Sequence, residues 1–159
     1  MKPGAIRPIV ICVFRHGDST FVAEYDNPAT GTKFYRPLGG ALRFGEYSRE
    51  CIVREIREEL GADIRDLAYL GTIENIFTLA GQPGHEIVLV YEANFVDPRL
   101  YETESVRCQE DDGSEFVAKW KSVGEFRAGK APLYPTGILD LLDKSTGNHS
   151  TRIGTDLYG

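Results

Sequence analysis

Several things are missing from this chain of 159 residues. No apolar run is long enough to cross a bilayer, and Met1 to Arg7 carries no secretory-leader pattern. There are only three cysteines, Cys12, Cys51 and Cys108, far apart and without CxxC spacing. That argues against a disulfide framework or a zinc ribbon. Cys12 sits in an apolar strand-like run and Cys51 in a helical one, so both read as small core residues. An odd cysteine count without a leader favours a reducing, cytoplasmic setting, and a cytoplasmic location is the expectation. A basic excess is missing too: 18 Lys and Arg stand against 24 Asp and Glu, a net charge of −6. A general nucleic-acid-binding surface is therefore disfavoured. No P-loop, zinc cluster or Ser/His/Asp arrangement is visible, nor any repeat, low-complexity tract or interdomain linker.

What is present is ordinary for a folded domain. Hydrophobic residues make up 42% and charged residues 26%, and the length suits one domain with a real core. Ile6 to Arg15 reads as a strand ending at the His16-Gly17-Asp18 turn, with Thr20 to Tyr25 as its hairpin partner. Asn27 to Gly31 is a loop, and Lys33 to Arg36 a short extended piece before Pro37. A helix follows, with Ser48 as its expected N-cap and Gly61 as its stop. Leu67 to Leu79, Glu86 to Val96 and Phe116 to Lys121 read as strands, and the polar stretch from Asp97 to Gly113 as a long loop. Thr136 caps an expected last helix carrying Ile138, Leu139, Leu141 and Leu142. This succession predicts a mixed α/β domain over residues 1–145, with 146–159 a loosely held tail.

The most informative stretch is GALRFGEYSRECIVREIREELGA, Gly40 to Ala62. On a helix of 3.6 residues per turn, Glu55, Glu58 and Glu59 fall within about 100° of arc. Ile52, Val53, Ile56 and Leu60 gather on another face, ready to pack on a core. Like charges at such spacing weaken a helix, and a hard divalent cation held by oxygen ligands would offset the repulsion. A solvated acidic face is the competing reading.

The surrounding pattern decides between them. Gly40, five residues, Glu46, seven residues, then Arg54-Glu55-Ile56-Arg57-Glu58-Glu59-Leu60-Gly61-Ala62 resembles the signature of the Nudix hydrolases, G-x5-E-x7-REUxEExGU with U a bulky aliphatic. Only Ala62 falls short, being smaller than the usual residue. The Pro37-Leu38-Gly39-Gly40 lead-in resembles the family as well, although many members carry Pro directly before the two glycines.

The resemblance implies an α/β/α sandwich around a central mixed sheet, with the box as a loop-helix-loop. It also implies a pyrophosphohydrolase dependent on Mg²⁺ or Mn²⁺, cleaving a nucleoside diphosphate linked to another moiety. On the same basis Glu55, Glu58 and Glu59 are metal ligands with Gly39 contributing its carbonyl, Arg54 orients a carboxylate, and Glu58 and Glu59 are the catalytic acids of the box. The identity of the general base stays open, since some members recruit a carboxylate outside the box. Glu115 is the first candidate here, with Glu110, Asp111 and Asp112 as rivals and simple solvation as the competing reading for each. Arg36 and His85 are candidate substrate contacts; Tyr35, Phe77 and Tyr91 are weaker ones, and aromatics in strands more often belong to the core. The expected partner is a small-molecule nucleotide derivative, with no membrane, nucleic acid disfavoured and a homodimer left open. A Nudix-fold nucleotide sensor without turnover is the alternative function. The intact set of box carboxylates favours an enzyme.

Overall fold

A computed structural model describes residues 4–144. The expected 146–159 tail, with His149 in it, lies outside the described residues. The chain forms β1 (Arg7–Val13), β2 (Arg15–His16), β3 (Ser19–Asp26), β4 (Lys33–Ala41), α1 (Ser48–Leu60), β5 (Ile64–Leu79) and β6 (Gln82–Phe95). A 3₁₀ turn (Pro98–Tyr101), β7 (Ser105–Gln109), β8 (Glu115–Ser122), α2 (Val123–Arg127) and α3 (Ile138–Lys144) complete it. The strands make one mixed sheet in the order β5-β6-β1-β4-β3-β8-β7, with β2 attached to β3. β1 and β6 run parallel and the other neighbours antiparallel.

β1 explains the layering. Its sequence, RPIVICV, is apolar at five consecutive positions, as expected of a strand buried on both faces. Val10 and Cys12 point into a cluster with Ile52 and Ile56 of α1, while Ile9, Ile11 and Val13 pack with Ile138 and Leu142 of α3. Helices on both faces of a mixed sheet make the expected sandwich. Phe14, stacked on Phe95 at 3.9 Å between centroids, extends the α1-side core, and Phe21 meets Phe95 edge-on.

Four local expectations are corrected. β1 pairs with β4 and β6; only the two-residue β2 forms a hairpin with β3. The segment before Pro37 does not stop there. β4 continues to Ala41, pairing with β3 up to Pro37 and with β1 from Leu38 onward, so one strand joins the two halves of the sheet. Ser48 is not the N-cap: Tyr47 holds that position without a side-chain cap, and the Ser48 hydroxyl bonds the Tyr91 hydroxyl at 2.6 Å. The stretch after Asp97 is not one long loop, because Ser105–Gln109 pairs with β8 as an edge strand. It buries Cys108 and half-buries Val106, an alternation of only five residues that is too short to stand out in a polar stretch. Gly61 ends α1 as expected, in the left-handed conformation at φ 68°. Cys12 and Cys51 are fully buried, and Trp120 packs among Phe21, Phe95 and Tyr101 while donating to the Leu100 carbonyl.

Candidate active site

Glu55 and Glu59 of α1 are turned away from solvent, whereas Glu58 is exposed. Glu55 is 3% and Glu59 7% exposed, so two of the three carboxylates foreseen on one helix face are buried. Gly40 is the reason Glu55 fits: a Cβ there would lie 2.3 Å from the Glu55 carboxyl carbon. Gly39 answers a different constraint, since a Cβ on it would meet the Val10 carbonyl oxygen at 2.0 Å. Both glycines are paired within the sheet, Gly39 opposite Ile11 and Gly40 opposite Val10.

Arg54 organises the acids. Its Nε and Nη2 donate to the two oxygens of Glu46 at 2.6 and 3.0 Å, a bidentate pair. Its Nη1 donates to Glu55 at 2.8 Å and to Glu58 at 3.1 Å, and Nη2 also reaches the Ala41 carbonyl. Arg54 and the Arg43 backbone N–H hold the Glu46 carboxyl down at about 2. Glu59 goes the other way: burial, then the nearby Glu110 and Glu55 charges, push it up to about 9. Burial also raises Glu55, against the pull of Arg54. Glu59 Oε1 is buried with no hydrogen-bond partner. A buried carboxyl oxygen without a partner, beside further acids, has the donor chemistry that a hard cation takes.

Oxygens of Glu55, Glu58 and Asp111 lie within 4.8 Å of one another, close enough to share a metal ion. The loop acid in that group is Asp111. Glu115, the leading candidate from sequence, starts β8 with 59% of its side chain exposed, 4.0 Å from Arg107. Asp112 bonds Ser114 within the turn. Glu110 accepts from the Tyr25 hydroxyl at 2.9 Å, which ties the turn to β3.

A cavity of about 320 Å³ adjoins these acids, lined in part by Gly39, Gly40, Arg36, Glu86 and Glu110. Arg36 faces Glu86 at 3.4 Å, and Glu86, 3% exposed, also accepts from Asn75 at 3.1 Å. Sequence reasoning missed Glu86; the signal was one acid opening the apolar run EIVLVY. His85 is half-buried, and as the strand neighbour of Glu86 it points to the opposite face. Tyr91 is core and bonds Ser48, and Tyr35 is core and donates to Glu24. A larger cavity, about 480 Å³, lies between Arg15, Asp66 and Glu92 and includes none of the box residues. Among the described residues no helix is long and apolar enough to cross a membrane.

Comparison with known proteins adds to this geometry. The NUDIX domain family model matches residues 5–140. The NAD-capped RNA hydrolase NudC of Pseudomonas entomophila is 36% identical over 67 residues, 42% of this chain and 24% of that protein. NudC of Pseudomonas fluorescens is 28% identical over 118 residues, 74% of this chain and 37% of that protein. The chain thus spans well under half the length of these curated relatives. Among solved structures, a NUDIX hydrolase from Nitrosomonas europaea superposes with a TM-score of 0.60 at 19% identity, covering 89% of this chain and 87% of that one. An ADP compounds hydrolase superposes with a TM-score of 0.54 at 19% identity, over 82% of this chain and 64% of that one. At those identities the likeness is one of fold.

Proposed function

This chain belongs to the NUDIX family, and on that premise we propose that it is a metal-dependent pyrophosphohydrolase cleaving a nucleoside diphosphate linked to a second moiety. One observation carries the reading: Glu55, Glu58 and Asp111 converge within 4.8 Å, beside a Glu59 oxygen that has no partner. Hard oxygen donors without a soft ligand suit Mg²⁺ or Mn²⁺. Glu55, Glu58, Glu59 and Asp111 would hold the ion, with the Gly39 carbonyl at the cavity wall as a further donor. A divalent ion bound there supplies charge neutralisation at phosphate oxygens and a bound water of lowered pKa.

The chain's own residues do the positioning. Arg54 fixes Glu46, Glu55 and Glu58 with one guanidinium, so these carboxylates are arranged before substrate arrives. Arg36, held against buried Glu86, offers a cation at the cavity wall for a phosphate that lies beyond the acids. Asp111 takes the role first given to Glu115. His85 has no place in this scheme. The nucleotide reading gains support from the NudC relatives, whose name gives NAD-capped RNA as substrate. An RNA end therefore remains among the substrates to be tested, despite the acidic balance. A charge of −6 bears on the whole surface, whereas a cap would be held by one cleft.

The test is a product screen with Mg²⁺ over NAD⁺, ADP-ribose, sugar nucleotides, dinucleoside polyphosphates, nucleoside triphosphates and an NAD-capped oligonucleotide. At least one should yield a nucleoside monophosphate or pyrophosphate, and EDTA should abolish the reaction until Mg²⁺ is restored. Tight nucleotide binding with no turnover would instead establish the sensor. Turnover that survives thorough chelation would overturn the mechanism.

A further inference from the structure

A second cavity, of about 210 Å³, opens beside the first. Arg36, Phe34 and Leu79 line both, so the two form one continuous groove running away from the carboxylates. Its chemistry changes along its length. At the end lined by Gly39, Gly40 and Glu110 it adjoins the acids of the site, and at Arg36, paired with Glu86, it carries a cation. Beyond Arg36 it is walled by Phe34, Phe77 and the 45%-exposed Tyr134, with the amides of Asn27 and Asn75 alongside.

The aromatic walls are held in place. Phe34 stands between Tyr25, stacked at 5.4 Å, and Tyr134, edge-on at 6.0 Å. The Tyr134 N–H donates to the Tyr35 carbonyl at 2.8 Å, which fastens that segment to β4. Opposite them, the tip of the Phe77 ring lies against Gly84 on the neighbouring strand, where a Cβ would come within 2.3 Å of it. Asn75 is anchored through its amide N–H to Glu86, the same carboxylate that holds Arg36. One buried acid thus sets the cation and the adjoining polar edge of the aromatic end together.

We propose that this aromatic end is the nucleobase subsite. Acids, then a cation, then aromatic faces with amides match in order the metal-bound phosphate, the second phosphate and the heterocyclic base of a nucleoside diphosphate. A planar base stacks on ring faces, and amides recognise its edge. The inference rests on the pyrophosphohydrolase reading for its orientation, but its test needs no turnover.

Titrate the protein with AMP, GMP, CMP and UMP, and with ribose 5-phosphate, by calorimetry in the presence of Ca²⁺. At least one nucleoside monophosphate should bind about tenfold or more tightly than ribose 5-phosphate. Tyr134→Ala and Phe34→Leu should each remove most of that preference while leaving ribose 5-phosphate binding unchanged. Thermal melting identifies any variant that does not fold, and the exposed Tyr134 makes its variant the safer arm. The assignment is overturned if no base improves on ribose 5-phosphate, or if the preference survives Tyr134→Ala in the folded protein. Hydrolysis with the base preference lost would sink this subsite alone. A base preference without hydrolysis of any compound would sink the enzyme reading alone.

Discussion

At the scale of single residues, the site is a set of like charges held together by one guanidinium and one glycine. Glu58→Gln keeps shape and helix propensity while removing a ligand charge, so turnover should fall by about 10²-fold or more with the fold intact. Glu59→Gln should lower turnover similarly and reveal a second effect. Burial raises the folded-state pKa of Glu59 from 4.5 to about 9, so its contribution to stability is complete below pH 4.5 and is lost as pH rises through about 9. In metal-free protein, Glu59→Gln should therefore be neutral in acid and stabilising by about 1–3 kcal/mol at pH 8, read from urea melts at both pH values. Near-native turnover in both variants would reduce the cluster to a surface feature. A second comparison concerns the acid outside the box. Asp111→Asn should lower kcat at least about tenfold, whereas Glu115→Gln, exposed and facing Arg107, should be within about twofold of the parent. The reverse ranking would return the role to Glu115.

At the scale of elements, the decisive one is the β7–β8 hairpin, which brings Asp111 over α1. Its turn is closed by Glu110 N–H to Ser114 and Gly113 N–H to Glu110, and tied to β3 by the Tyr25 hydroxyl. Tyr25→Phe keeps the ring stack with Phe34 and Phe116 but removes that tie. We expect a loss of about 0.5–1.5 kcal/mol, faster amide exchange across residues 110–114, and a reduced kcat. Unchanged exchange together with unchanged kcat would show that the turn holds Asp111 without Tyr25. α1 is the contrasting case. Its apolar stripe and Gly61 stop were legible because they follow from helical period and glycine's conformational freedom. β7 was not legible, because its alternation of Val106 and Cys108 with polar residues runs for only five residues inside a polar stretch.

At the scale of the whole molecule, two sheet halves share β4, and α1 and the β7–β8 turn close on each other across that shared strand. The crowded carboxylates make the metal-free protein less stable than its core would allow, and a divalent cation should relieve this. Adding 10 mM Mg²⁺ at pH 8 should raise the melting temperature, in keeping with binding to the folded state alone. The rise should be smaller at pH 5, where displacing the Glu59 proton costs more than it does at pH 8. Equal shifts at both pH values, or none, would count against a cation bound at these acids.

By itself the sequence determined the chemistry of the box: the number of carboxylates, the arginine among them, the glycines before them and the apolar stripe behind. These are encoded within 23 consecutive residues, Gly40 to Ala62, where local period fixes relative position. The tertiary structure decided which distant side chains join them. Asp111 rather than Glu115 meets Glu55 because the hairpin register sets which turn residue overhangs α1. Arg36 meets Glu86 across 50 residues because both reach the same cavity wall, and Ser48 binds Tyr91 instead of capping its helix. Burial was decided there too. The helix sequence gives the carboxylates a common face, and only the packing of Gly40 and the β7–β8 turn against that face removes Glu55 and Glu59 from water.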